Sequence, residues 1–282
     1  MKKILVPTDF SEHAENALHF AAEIAKKSED SKIILLHVVE HPHGDSFHVT
    51  GEVNLPGDNM DNLFLLKLIQ KSKGQLEAEA SQDYLSGLDI ATKLVVGRPY
   101  DSITEAISDH DADLTVMGTA GSSGVSEVFL GSNTEKIVRT ANCPVISIKS
   151  KVDAVDIKSI SFATDLNMDQ YNLCKKLKNL QELFNATLHL VYINTRNTFM
   201  SNRDAREGLE KFARDINLVN YHIDIYNHEN VEDGVLYFAE DNDIDMIAMG
   251  THGRTGLLHL LTGSLAEDVV NHAKRPVWTA RI

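Results

Sequence analysis

At 282 residues the chain is long enough for about two domains of roughly 150 residues each. Hydrophobic residues make up 43% and charged residues 24%, a globular balance that excludes wholesale disorder, and no apolar run approaches the roughly 18 residues of a membrane span. Lys plus Arg number 27 against 41 Asp plus Glu, and the formal charge of −14 disfavours DNA, RNA and anionic membranes as bulk partners. An anionic ligand must then be held by local backbone dipoles. Cys143 and Cys174 are too few for a disulfide framework or a thiolate zinc site. Met1-Lys2-Lys3 leads into no apolar stretch long enough for a signal peptide, so a cytoplasmic location is expected.

Taken in chain order, short apolar runs bounded by polar turns predict buried strands at Ile4–Val6, Ile33–Val39, Ile90–Val96, Leu114–Met117 and Val145–Ile148. Apolar residues recurring at three and four predict helices over Ser11–Lys27 and Asp61–Leu85. Between them, His41–Met60 carries Gly44, Gly51, Pro56 and Gly57 with little periodicity and reads as a loop, long enough to serve as a lid. His41, His43, His48 and Asp45 are suitable zinc ligands, although a polar loop with chance histidines is the simpler reading. Five strands interleaved with helices imply a parallel sheet covered on both faces, a doubly wound, flavodoxin-like or Rossmann-like unit. Ligands of such sheets bind at the carboxyl ends of the strands.

The chain then repeats itself. Lys3-Ile-Leu-Val-Pro-Thr-Asp9-Phe10 aligns with Ser159-Ile-Ser-Phe-Ala-Thr-Asp165-Leu166, Asp113–Gly118 with Asp245–Gly250, and Cys143-Pro-Val with Arg275-Pro-Val. This is a tandem duplication, with domains expected at 1–150 and 151–282. Asp9 and Gly118 are 109 positions apart, Asp165 and Gly250 only 85, and most of the difference lies in His41–Met60.

The most specific pattern is Gly118-Thr-Ala-Gly121, nine residues, then Gly131-Ser132, repeated as Gly250-Thr-His-Gly253, nine residues, then Gly263-Ser264. Glycines after a strand let phosphates approach the backbone, and a Gly-Ser opening a helix offers its unpaired amides to an anion. The competing reading is structural: Ser132 with Glu135, and Ser264 with Glu267, each have the spacing of a capping box. Asp9 and Asp165 likewise have a structural reading, as carboxylates just before a helix.

Val6-Pro7-Thr8-Asp9-Phe10-Ser11, Gly97-Arg98-Pro99, both glycine patterns and both closing Pro-Val strands make the chain resemble a tandem member of the universal stress protein family. The resemblance implies five-stranded α/β sandwiches of strand order 3-2-1-4-5, ATP or AMP binding, and pairing through the last strand. Carried over, it places Pro7, Thr8 and Asp9 by the ribose or adenine, Val38 on the adenine, and Met117 and Gly118 along the ribose–phosphate path. Gly121, Ser122, Gly131, Ser132 and Asn133 would surround the phosphates. The matching second set is Asp165, Tyr192, Met249, Gly250, Gly253, Arg254, Gly263, Ser264 and Leu265. In that half bulky Tyr192 stands for Val38, and Glu229-Asn230-Val231 for Gly97-Arg98-Pro99, so the first half is expected to bind more tightly. Arg254 and His252 weigh the other way, as phosphate donors that the first half lacks.

No Gly-x4-Gly-Lys-Ser/Thr loop and no Gly-x-Gly-x2-Gly after the first strand is present, which argues against a P-loop NTPase and a dinucleotide oxidoreductase. No credible nucleophile–base–carboxylate set stands out. The expected function is a stress-linked sensor or regulator that binds ATP, AMP or ADP, with Mg²⁺ accompanying the phosphates. The alternatives are a slow ATP hydrolase and a nucleotide-free interaction module. The two halves are expected to pack as an intramolecular pseudo-dimer, with a homodimer and unidentified protein partners left open.

Overall fold

The computed structural model describes residues 1–28, 30–40, 47–48, 59–119, 131–151, 156–166, 171–251 and 262–282, with backbone alone at 47–48, 59–62, 171–172 and 262–264. The first half runs β1 (Lys3–Thr8), α1 (Glu12–Lys27), β2 (Lys32–Val39), β3 (Phe47–His48), α2 (Asn59–Ala80), β4 (Asp89–Val96), α3 (Pro99–Asp109), β5 (Leu114–Gly118), α4 (Ser132–Thr140) and β6 (Val145–Ile148). The second runs β7 (Ser159–Ala163), α5 (Tyr171–Phe184), β8 (Thr187–Asn194), α6 (Asn202–Asp215), β9 (Tyr221–Asn227), α7 (Val231–Asp241), β10 (Met246–Thr251), α8 (Thr262–His272) and β11 (Val277–Arg281).

Among the described residues, one continuous sheet has the order β3-β4-β2-β1-β5-β6-β11-β10-β7-β8-β9. Within each half five parallel strands have the order 3-2-1-4-5, as the duplication and the resemblance imply, and the first half adds the short antiparallel β3 at its outer edge. Both faces are apolar because both are covered. Ile4 and Val6 of β1 face α1, where Leu18, Ala21 and Phe20 bury, while Leu5 faces Ile103 of α3 and Ile137 of α4. Burying each such large side chain contributes about 1.5–3 kcal/mol.

The halves meet through β6 and β11, which pair antiparallel with Ser147 opposite Val277, Ile146 opposite Trp278 and Val145 opposite Thr279. Both core clusters run through this junction: Ile146, Trp278 and Phe162 lie on one face, Val145, Val277 and Ile137 on the other. Across it Arg139 of α4 lies 3.5 Å from Glu267 of α8. The Lys149 ammonium donates to the Asn271 carbonyl in the last turn of α8. The pseudo-dimer is thus one sheet.

The repeat also appears in small details. Asp113 accepts hydrogen bonds from the amides of Lys2 and Lys3 at 2.8 and 3.0 Å, and Asp245 from those of Lys158 and Ser159 at 2.8 and 2.9 Å. Phe10 and Leu166 both take left-handed backbone, φ 64° and 65°. Each amide donates to the hydroxyl two residues before it, Thr8 or Thr164, at 3.0 Å.

Two expectations need correction. The helix expected through Leu85 ends at Ala80, where the Ser81 hydroxyl bonds back to the Glu77 carbonyl, and a separate 3-10 turn covers Asp83–Leu85. Within the expected loop, Phe47–His48 forms an antiparallel edge strand on β4. Asn59 and Met60, also expected in that loop, open α2, and the rest of the segment, with His41, His43 and Asp45, lies outside the described residues. Among the described residues no helix is long and apolar enough to cross a membrane.

Candidate functional site

At the carboxyl ends of β1, β2 and β5 lies a cleft of about 340 Å³. It brings together nine of the eleven first-half positions expected at the site: Pro7, Thr8, Asp9, Val38, Met117, Gly118, Gly131, Ser132 and Asn133. Leu36, Val38, Pro99 and Ile103 give it apolar lining, and the start of α4 lines it as well. Gly121 and Ser122 lie outside the described residues. Glu40 also lines the cleft, and sequence reasoning missed it. It stands two residues beyond Val38, and the strand period of two would have put both on one face.

The helix that opens at the cleft is not capped by its own serine. Gly131 is the N-cap of α4 and among the described residues no side chain caps it, so Ser132 is the first helical residue and Glu135 falls one place too far along for a capping box. The structural reading of Ser132 therefore fails. Its side chain is exposed at the cleft, and among the described residues nothing accepts from the amides of Ser132 or Asn133. Such a helix start carries partial positive charge and free donors. Thr134, one residue further in, turns its hydroxyl to the Gly118 carbonyl at 2.9 Å and ties the helix to β5.

Gly118 has a different reason from the one expected. A methyl group there would lie 2.7 Å from the His13 carbonyl carbon, so the missing side chain lets α1 pack on β5. The Gly118 backbone still lines the cleft. Asp9 accepts a hydrogen bond from the Ser11 amide at 3.0 Å, and Ser11 in turn caps α1. The structural reading of Asp9 thus holds, and the residue lines the cleft as well. Thr8 turns its hydroxyl to Glu79 of α2. His37 donates to the Thr8 carbonyl, and its pKa is held below the usual histidine value, chiefly by burial.

In the second half the strand register corrects the sequence alignment by one residue. Lys3 pairs with Lys32 and Ser159 with Thr187, which puts Ile193, not Tyr192, at the place of Val38. A one-residue slip in a strand moves a side chain to the opposite face. Accordingly Tyr192 packs on the α5 and α6 side, its hydroxyl donating to the Thr198 carbonyl. Ile193 is buried under α7, against Gly234. His228, not Glu229, matches Gly97: their amides donate to the carbonyls of Asn194 and Val39, at 3.1 and 2.9 Å. Met249 is buried, Gly250 sits at the end of β10, and Leu265 packs half-buried on the same core. Gly263 and Ser264 lie inside the first turn of α8, which begins at Thr262. Asp165 is described at the β7 end, while Gly253, Arg254, His252 and His259 fall outside the described residues.

Among the described residues no group of three His, Cys, Asp or Glu side chains is placed to hold a metal ion. Cys143 and Cys174 are buried and free, and burial pushes the Cys174 thiol up to about 12.

Comparison with known proteins agrees with this architecture. The chain is 34% identical over 157 residues to universal stress protein MJ0577 of Methanocaldococcus jannaschii, covering 53% of this chain and 96% of that one. It is 25% identical over 300 residues, and over the whole of both chains, to universal stress protein Slr1230 of Synechocystis. A solved universal stress protein from Archaeoglobus fulgidus superposes with a TM-score of 0.76 at 19% identity, covering 99% and 98% of the two chains, a likeness of fold. The model of the universal stress protein family matches residues 1–149 and again 156–281. Matched twice over nearly its whole length, the chain belongs to the universal stress protein family, with two copies of the family unit in tandem.

Proposed function

We propose that the first-half cleft binds ATP or a related adenine nucleotide, and that the chain acts as a stress-linked sensor or regulator and not as a dedicated catalyst. One observation carries this reading: the start of α4, where no described side chain caps the helix, lines the same cleft, through Ser132 and Asn133, as apolar residues that include Val38. Free amides at a helix start suit phosphate oxygens, and an apolar slot with a few placed polar groups suits a base and ribose. Asp9 is placed to accept from the ribose hydroxyls. Mg²⁺ would accompany the phosphates, as it ordinarily accompanies triphosphate oxygens. In this reading residues 1–150 and 151–282 are the two domains, located in the cytoplasm, and any homodimer uses a surface other than β6 and β11.

The first half is the principal site because Val38 leaves its slot open, whereas Ile193 fills the equivalent one beneath α7. Mass spectrometry of the purified, denatured protein should find ATP, AMP or ADP. Titration calorimetry with Mg-ATP should lose its tight phase in Asp9→Ala and keep it in Asp165→Ala. The reverse pattern would move the site to the second half, and no binding by the wild type would refute the reading.

A further inference from the structure

Behind the cleft, on the opposite face of the sheet, a carboxylate reaches the strand that carries Asp9. The Thr8 hydroxyl donates to Glu79 of α2, 3.1 and 3.0 Å from its two oxygens, and the same hydroxyl accepts from the Phe10 amide at 3.0 Å. Donors therefore run in one direction, from Phe10 N–H through Thr8 O–H to the Glu79 carboxylate. The His37 Nδ1 lies 2.8 Å from the Thr8 carbonyl, and because a carbonyl only accepts, that nitrogen carries hydrogen. The Phe10 ring rests 4.3 Å from the His37 ring. Both neighbours of Asp9 are thus pinned from behind, by α2 and by β2. In the second half the same turn forms at Thr164 and Leu166, but Tyr192 stands at the place of His37 and bonds elsewhere.

We propose that Glu79 is a positioning residue for the first-half site: by orienting the Thr8 hydroxyl it fixes the turn that aims Asp9 into the cleft, and its charge opposes an anionic ligand there. The proposal rests on the nucleotide reading above. Glu79 is half-buried and is faced by Glu15 of α1, by Asp9 and Thr8 of β1 and its turn, and by Tyr84, which itself packs on His19. Burial raises its pKa, the Thr8 bond lowers it, and Glu15 and Asp9 raise it further. A bound polyphosphate adds negative charge in front of the same carboxyl, so binding draws a proton onto Glu79 and affinity rises as pH falls.

The test is calorimetry of Mg-ATP binding by the full chain at neutral and at acidic pH. Glu79→Ala, which ends the donor chain, should weaken binding about tenfold at neutral pH. Glu79→Gln, whose amide oxygen still accepts from Thr8, should bind at least as tightly as wild type at neutral pH and show a flatter pH profile. Thr8→Val removes the relay without touching α2 and should reproduce the loss in Glu79→Ala, which covers the case where that variant folds poorly. Wild-type affinity in both Glu79→Ala and Thr8→Val, or a Glu79→Gln variant as weak as Glu79→Ala, overturns this proposal alone. A wild-type chain that binds no adenine nucleotide overturns the functional reading, and this proposal with it.

Discussion

Gly118 and Gly250 occupy the same place in the two copies, yet adding one methyl group to each should have unequal costs. At Gly118 the new carbon would lie 2.7 Å from the His13 carbonyl carbon and 2.8 Å from its oxygen, main-chain atoms at the start of α1. At Gly250 it would meet the Cδ1 of Ile282 at 2.8 Å and a Cδ of Leu173 at 2.9 Å, the far ends of two side chains. Overpacking costs about 1–3 kcal/mol. A helix backbone yields less readily than a rotating side chain, so Gly118→Ala belongs near about 3 kcal/mol and Gly250→Ala near about 1 kcal/mol. At about 2–4 °C per kcal/mol for a chain of this size, the melting temperature falls by roughly 6–12 °C in the first and 2–4 °C in the second. Gly74, on α2 with nothing within 4 Å of an added Cβ, serves as control: Gly74→Ala should stabilise by up to about 1 kcal/mol. Scanning calorimetry and urea titration read all three. Equal losses at Gly118 and Gly250 would refute the helix-packing account of Gly118 and return it to a purely ligand-facing role.

Arg139→Ala should destabilise by about 1–3 kcal/mol, because it leaves Glu267 partly buried without its cation, and adding Glu267→Gln should recover part of the loss in urea titration. If the double variant is no more stable than the single one, the pair is not coupled. Trp278→Phe should change stability by less than about 1.5 kcal/mol, since the smaller ring leaves a gap but removes a buried indole N–H without a partner among the described residues. A loss above about 3 kcal/mol in the same assay would mean that the indole N–H is satisfied. Because the Glu79 pKa is raised in the fold, wild-type stability contributed by this group is present below its unfolded value and declines as pH rises through the folded one. Relative to wild type, Glu79→Gln should therefore gain stability at neutral pH and show no gain in strong acid, as followed by melting temperature across pH.

Much of this was legible in the sequence because local pattern and global fold agree. Every predicted first-half strand is present, since each is a short apolar run bounded by polar turns, although β4 is buried only toward its end. The glycine pattern points to Gly131 and Ser132, and the family resemblance to Asp9 and Met117, at the carboxyl ends of the strands, where the cleft lies. What sequence reading missed depends on direction in space. A glycine can be explained by either side of its backbone, and only the coordinates set His13 against Gly118. The Ser132 capping box matched by spacing, but the chain enters α4 one residue early, with Gly131 as the cap. Tyr192 was assigned to the wrong face because counting from the strand's end cannot fix register, whereas pairing with β7 does. Glu79 was invisible as a partner of Thr8, 71 positions away, because no local motif links two side chains brought together by a crossover.

The junction register has one more consequence. In a two-fold dimer the residue on the axis meets its own copy. Here the corresponding positions are Ile146 and Trp278, opposite each other between β6 and β11 and enclosed in the same core cluster. Two indoles there would crowd, and two isoleucines would leave a void. A large ring beside a mid-sized aliphatic fills the space that neither identical pair would, so the two edges complement each other rather than themselves. Separated halves should accordingly choose each other over themselves.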